Sequence, residues 1–114
     1  KLFTKEAKII DFDQPFQLMT SLKEGEEISL GGLKLSIKND CLYCDREKVS
    51  IVADKVCNIN HTPCLNGQYD LEIYYDQHIF EIYINDGYYV LSQIVYELDK
   101  KDISLNKYQL YNLF

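Results

Sequence analysis

An all-β fold, two antiparallel sheets packed as a sandwich, is what this sequence predicts, on three observations. Apolar and polar residues alternate with period two along most of the chain, as they do where one face of a sheet is buried. Turn residues interrupt that alternation about every 8–12 residues, the spacing of a sandwich or barrel. Ten Tyr and five Phe, with no Trp, accompany frequent Ile and Val, side chains that pack well on a pleated surface. No segment carries a convincing helical stripe.

The first expected strands are Lys8–Asp11 and Phe16–Thr20, followed by the acidic turn Lys23-Glu24-Gly25. Glu26–Leu30 then runs into Gly31-Gly32, a turn signal. Leu33–Ile37 alternates cleanly and returns as Cys41–Arg46 through Asn39-Asp40, a pair that tolerates positive φ. That turn sets Ile37 opposite Leu42 and Leu35 opposite Cys44 on one apolar face, with Cys41, Tyr43 and Asp45 pointing the other way. Val49–Ala53 is another short strand. Asn58–Gly67, with Pro63 and Asn66-Gly67 inside it, reads as a loop.

The strongest pattern is Tyr69–Tyr96. Leu71, Ile73 and Tyr75 share one face, and Phe80, Ile82 and Ile84 share one face of the next strand. A turn at Gln77-His78 sets these two groups opposite each other, so a single side is buried. Asp86-Gly87 is a hairpin turn of the primed type and leads into Tyr88–Tyr96, whose inward parity the sequence leaves open. Ile103–Leu105 and Gln109–Phe114 close the chain, about ten short strands in all.

At 114 residues the chain is sized for one domain, taken as residues 1–114. Its formal net charge is −6 and its pI near 4.8, a balance that repels phosphate backbones and anionic lipid. Nucleic acid and membrane are therefore not expected partners. No apolar run is long enough to span a bilayer, and the start has no leader pattern. A chain opening on Lys1, with its only methionine at Met19, is expected to be a piece of a longer protein whose remainder lies upstream. The apolar content is enough for a core without covalent staples, so Cys41, Cys44, Cys57 and Cys64 are expected to be reduced thiols in a cytoplasmic protein.

The stretch from Tyr75 to Gly87, Tyr-Asp-Gln-His-Ile-Phe-Glu-Ile-Tyr-Ile-Asn-Asp-Gly, resembles the strongest motif of the C-terminal domain of glycoside hydrolase family 32. Asp76, Glu81, Tyr83, Asn85, Asp86 and Gly87 fall on that motif without a gap. Leu91-Ser92-Gln93-Ile94 resembles the family's next strand. Gly32–Ile37 with Leu42–Arg46 resembles its hairpin ending in Asp-Arg. Gln77, His78 and Gln93 depart from the pattern, which has Arg-Ser and Arg there. The resemblance implies a β-sandwich of jelly-roll or concanavalin-like type and an upstream five-bladed propeller. The propeller would hold the catalytic carboxylates of a retaining β-fructosidase, such as a sucrose-6-phosphate hydrolase or an invertase. The propeller motifs Asn-Asp-Pro-Asn-Gly, Arg-Asp-Pro and Glu-Cys do not occur in this sequence. The expectation is thus a non-catalytic accessory domain, with no cofactor, that packs on the propeller through a sheet face rich in Tyr and Ile with a polar rim.

Asp76 and Glu81 form the best carboxylate pair. Both should point away from the core, with Glu81 opposite Tyr74 and Arg46 as an ion partner for either. Such a surface could bind a fructoside sugar, the carboxylates accepting hydroxyl bonds and Tyr74 covering the ring. The plainer reading is a solvated or docking face. Pairing of two copies is a third role. A zinc site among Cys41, Cys44, Cys57, His61 and Cys64 is disfavoured: strand residues three apart point to opposite faces, so Cys41 and Cys44 do not reach one metal, and Cys57, His61 and Cys64 in the loop do not by themselves close a structural site. A Cys41–Cys57 disulfide would suit a secreted parent. His61 and His78 lack a triad context, and Asn60-His61-Thr62 is a glycosylation sequon weakened by Pro63.

Overall fold

A computed structural model of the chain describes residues 4–46, 59–63, 68–95 and 97–113. The expected strand Val49–Ala53, Cys57, Cys64 and the Asn66-Gly67 turn lie outside them. The described residues form eleven strands and no helix: β1 Thr4–Ala7, β2 Phe16–Leu22, β3 Glu27–Leu30, β4 Leu33–Lys38, β5 Cys41–Asp45, β6 Ile59–His61, β7 Tyr69–Asp76, β8 Ile79–Ile84, β9 Tyr89–Ile94, β10 Ile103–Ser104 and β11 Tyr108–Leu113. They make a six-stranded sheet, in the order β1-β11-β2-β7-β8-β9, and a five-stranded sheet, β10-β3-β4-β5-β6. Both are antiparallel throughout, and together they form the β-sandwich expected from the sequence.

Turn chemistry fixes the registers. Asn39 and Asp40 sit at φ 51° and 61°, so Ile37 pairs with Leu42 and Leu35 with Cys44. The Glu24 carboxylate ties this turn down by accepting the N–H groups of Asn39 and Asp40 at 3.1 and 2.9 Å. Gln77 and His78, at φ 44° and 67°, pair Tyr75 with Phe80 and Ile73 with Ile82. An ordinary L side chain costs about 1 kcal/mol in that region, which glycine avoids. His78→Gly is therefore expected to raise stability by about 0.5–1 kcal/mol, read as a higher urea midpoint. At the next hairpin Asp86 and Gly87 take the same positive φ, and the Asn85 carbonyl accepts the Tyr88 N–H.

Between the sheets lies one core. The six-stranded sheet supplies Phe16, Leu18, Leu71, Ile73, Tyr75, Phe80, Ile82 and Ile84; the other supplies Ile28, Leu30, Leu33, Leu35, Ile37, Leu42 and Cys44. At one end Phe16, Tyr75 and Phe80 pack ring on ring, with centroids 5.1 Å (Phe16–Tyr75) and 4.8 Å (Tyr75–Phe80) apart, and Phe12 meets Tyr75 edge-on. Gly31 closes the same region at φ 63°, where a Cβ would come within 2.9 Å of both Phe12 and Leu98. Its N–H and carbonyl hold the Asp99–Asp102 turn against the sheet.

Two local expectations fail. Residues 8–11 are not a strand: Asp11 folds the chain by accepting the Asp13 and Gln14 N–H groups, leaving Ile9 exposed, and β1 lies earlier. The segment taken as a loop over Asn58–Gly67 contains β6, which adds to β5. Thr62 secures it, its hydroxyl accepting the Leu42 N–H while its own N–H donates to the Leu42 carbonyl. Strand patterning missed β6 because three residues show no alternation to read.

Cys44 is buried in the core, and burial first, then the Asp45 charge, lifts its thiol from 9.0 to about 12, with Arg46 pulling the other way. An unfolded chain loses that proton sooner than the folded one. Between those limits the folded state binds more protons, so stability falls as pH rises, by up to roughly 1.4 kcal/mol per unit. Cys44→Val should flatten the alkaline slope of the urea midpoint, and native Cys44 should resist thiol reagents.

Candidate functional site

The outer face of the six-stranded sheet gathers most of the polar chemistry of the described residues. Directly opposed residues on antiparallel strands share a face, so the register carries one row across the sheet: Tyr111, Gln17, Tyr74 and Glu81. Asp76 and Ile79 form the neighbouring pair, and Glu72 opposes Tyr83. As the alternation required, Asp76 and Glu81 point to solvent while Tyr75, Phe80 and Ile82 point inward. The opposition of Glu81 to Tyr74 also follows the sequence reading.

Hydrogen bonds organise this surface. Gln17 Nε2 donates to Glu72 Oε1 and to the Tyr74 hydroxyl, both at 3.1 Å. The Tyr83 hydroxyl donates to Glu81 Oε2 at 3.0 Å, and the Tyr74 and Tyr83 rings meet edge to face at 5.6 Å. The Tyr83 phenol is raised above its ordinary value mainly by that bond to Glu81, whose charge adds to it. Tyr74 is raised by burial first and then by Glu72. Both phenols therefore stay protonated donors at neutral pH. Beside them lies a groove of about 420 Å³ lined by Pro15, Tyr74, Asp76, Ile79, Glu81 and Leu113, among others.

Arg46 is not part of this surface. It continues the parity of Leu42 and Cys44, so its side chain enters the space between the sheets, where it is buried. Its guanidinium Nη1 donates to the Ile94 carbonyl at 3.0 Å, linking the end of β5 to the last residue of β9. The expectation of Arg46 as ion partner to Asp76 or Glu81 is corrected by that geometry.

Sequence reasoning missed Gln17, Glu72 and Tyr83 as members of the cluster. Gln17 joins only because β2 pairs with β7, which brings it to side chains 55 and 57 residues away, a contact no local pattern reports. It also left the parity of β9 open. Leu91, Gln93 and Val95 point inward, so Val90 and Ile94 face out at 44% and 51% exposure, next to Ile79 at 45%. Cys41 and Cys44 take opposite faces, as argued against zinc. The His61 ring meets that of Tyr43 at a tilt, with centroids 5.1 Å apart, and bonds the Thr62 carbonyl through Nδ1. Among the described residues no group of three metal-ligating side chains comes together.

No curated protein sequence matches the chain. Among solved structures, it superposes on the sucrose-6-phosphate hydrolase from Lactobacillus gasseri with a TM-score of 0.60 at 22% identity. That match covers 99% of this chain and 28% of the other, and it establishes a shared fold. The family model described as "Glycosyl hydrolases family 32 C terminal" matches residues 14–110, a span running from just before β2 into β11. With a match over nearly the whole sandwich, this chain belongs to the C-terminal domains of the family 32 glycosyl hydrolases.

Proposed function

We propose that the chain is the non-catalytic β-sandwich domain of a retaining β-fructosidase, of sucrose-6-phosphate hydrolase or invertase type, and that it packs on and steadies an upstream catalytic β-propeller. The family match over residues 14–110 carries the reading. A retaining glycosidase places two carboxyl groups about 5 Å apart on either side of the scissile bond. Here the paired candidates Asp76 and Glu81 stand on an open sheet face, and one Glu81 oxygen is already held by the Tyr83 hydroxyl. The full-length protein is expected to hydrolyse sucrose or sucrose 6-phosphate with retention at the anomeric carbon, and this chain by itself to leave both untouched. Turnover by the chain alone would sink the proposal.

The second reading is a module that binds fructoside ends. The groove beside Tyr74, Asp76 and Glu81 favours it, offering one aromatic face and two carboxylates within a single concavity. Arg46 has no place in that site. Calorimetric titration with fructose, sucrose and levan decides: millimolar or tighter binding that Glu81→Ala abolishes supports the module, and no heat from any of the three removes it.

A further inference from the structure

The two broad faces of the sandwich differ in charge. On the outer face of the six-stranded sheet the register places Glu6, Asp70, Glu72, Asp76 and Glu81, while Lys8 lies beside Glu6 and Lys107 lines a groove with Asp70 and Glu72, which leaves the face net acidic. The outer face of the five-stranded sheet mixes signs, with Glu27 and Asp45 beside Lys34 and Lys38. Among the described residues none of the five carboxylates makes an ion pair. The same face also carries the exposed apolar side chains Ile79, Val90 and Ile94. Ile79 lies directly opposite Ile94, and together they form an apolar pair at one end of β8–β9; Val90, opposite Tyr83, stands beyond the intervening Glu81–Ser92 pair.

An exposed apolar pair on a face where acidic side chains outnumber basic ones is a surface that lacks its complement. Resting on the functional reading above, we propose that this outer face is where the catalytic domain of the same protein docks, and that the catalytic domain meets it with an apolar centre and a rim of Arg and Lys. The charge decides the occupant. A second copy of this face would bring carboxylates against carboxylates, and an anionic partner would be repelled in the same way. The sandwich measures 35 × 35 × 25 Å, so a broad face offers on the order of 1,000 Å², within the range of about 600–1,500 Å² typical of interfaces between domains of one chain. A protein built like the matched hydrolase would have most of its length outside this chain to supply the partner surface, since the match covers 28% of that chain.

The test uses the full-length protein. Wild type should melt in a single transition, with the junction between domains resistant to limited proteolysis. Asp76→Lys with Glu81→Lys, or Ile94→Lys alone, should split the melting curve into two transitions and open the junction to protease. Asp76→Asn with Glu81→Gln should move the same readouts less far in the same direction. Lys34→Glu with Lys38→Glu on the opposite face should leave a single transition. Splitting by the Lys34/Lys38 pair and not by the Asp76/Glu81 pair overturns the proposal, as does a single transition with a resistant junction in every variant. A dimer seen by sedimentation in wild type and lost in Asp76→Lys/Glu81→Lys, with the junction still resistant, assigns the face to a second copy and also overturns it. Absence of fructosidase turnover in wild type removes the functional reading and this proposal with it; turnover with the wrong face responding removes this proposal alone.

Discussion

Tyr75→Ala should cost about 3–5 kcal/mol of folding stability, the usual toll for cutting a large buried aromatic back to a methyl group. The ring is 2% exposed, stacks on Phe16, touches Phe80 and meets the edge of Phe12, so its removal empties the centre of four packed aromatics. Its ring neighbours belong to β2, β8 and the turn before β2, and relaxation of one is limited by the others. Tyr75→Phe separates packing from polarity. The hydroxyl accepts only the His78 N–H at 3.3 Å, so that variant should lose about 1 kcal/mol or less. Urea midpoints of the two variants, at equal m-value, check both figures. Near-equal losses would show that the hydroxyl, not the ring, holds the hairpin.

The second large effect is expected at Arg46. Its stem fills space between the sheets and its head reaches the Ile94 carbonyl, so Arg46→Ala removes packing and a charge-assisted hydrogen bond together. A loss of about 2–3 kcal/mol follows from the hydrogen bond to a charged group, before any cavity is counted. Arg46→Met, which keeps much of the stem, should recover the packing share and leave the carbonyl unsatisfied. Comparing the two by urea unfolding apportions the loss, and a Met variant as stable as wild type would show that the carbonyl bond contributes nothing.

The hairpins were legible because their information is local. Asn39-Asp40, Gln77-His78 and Asp86-Gly87 each join strands whose alternation is visible, and each turn length sets the register. Leu71–Ile84 therefore reads correctly from sequence down to which residue opposes which. What was not legible is non-local. The pairing of β2 with both β7 and β11 decides who neighbours Tyr74, and nothing within either segment announces it. Arg46 was misplaced for a related reason. Its parity with Leu42 and Cys44 points inward, but the carbonyl it binds, at Ile94, lies 48 residues away, where no local pattern reports it. Residues 8–11 show the opposite failure, a short apolar run whose turn chemistry at Asp11 overrides strand propensity.

The Arg46–Ile94 bond has a consequence for solubility as well. Among the described residues β9 ends its sheet, and the Val95 N–H bonded to the His78 carbonyl fixes the ladder phase. Gln93 and Leu91 accordingly bond inward along β8, while Val90, Ser92 and Ile94 turn their amide groups to the open side. A terminal strand of that kind is a template for recruiting strands from other molecules. The guanidinium stops one of those outward carbonyls, so Arg46→Ala should form fibrillar or amorphous polymer faster than Tyr75→Ala does at matched populations of unfolded chain.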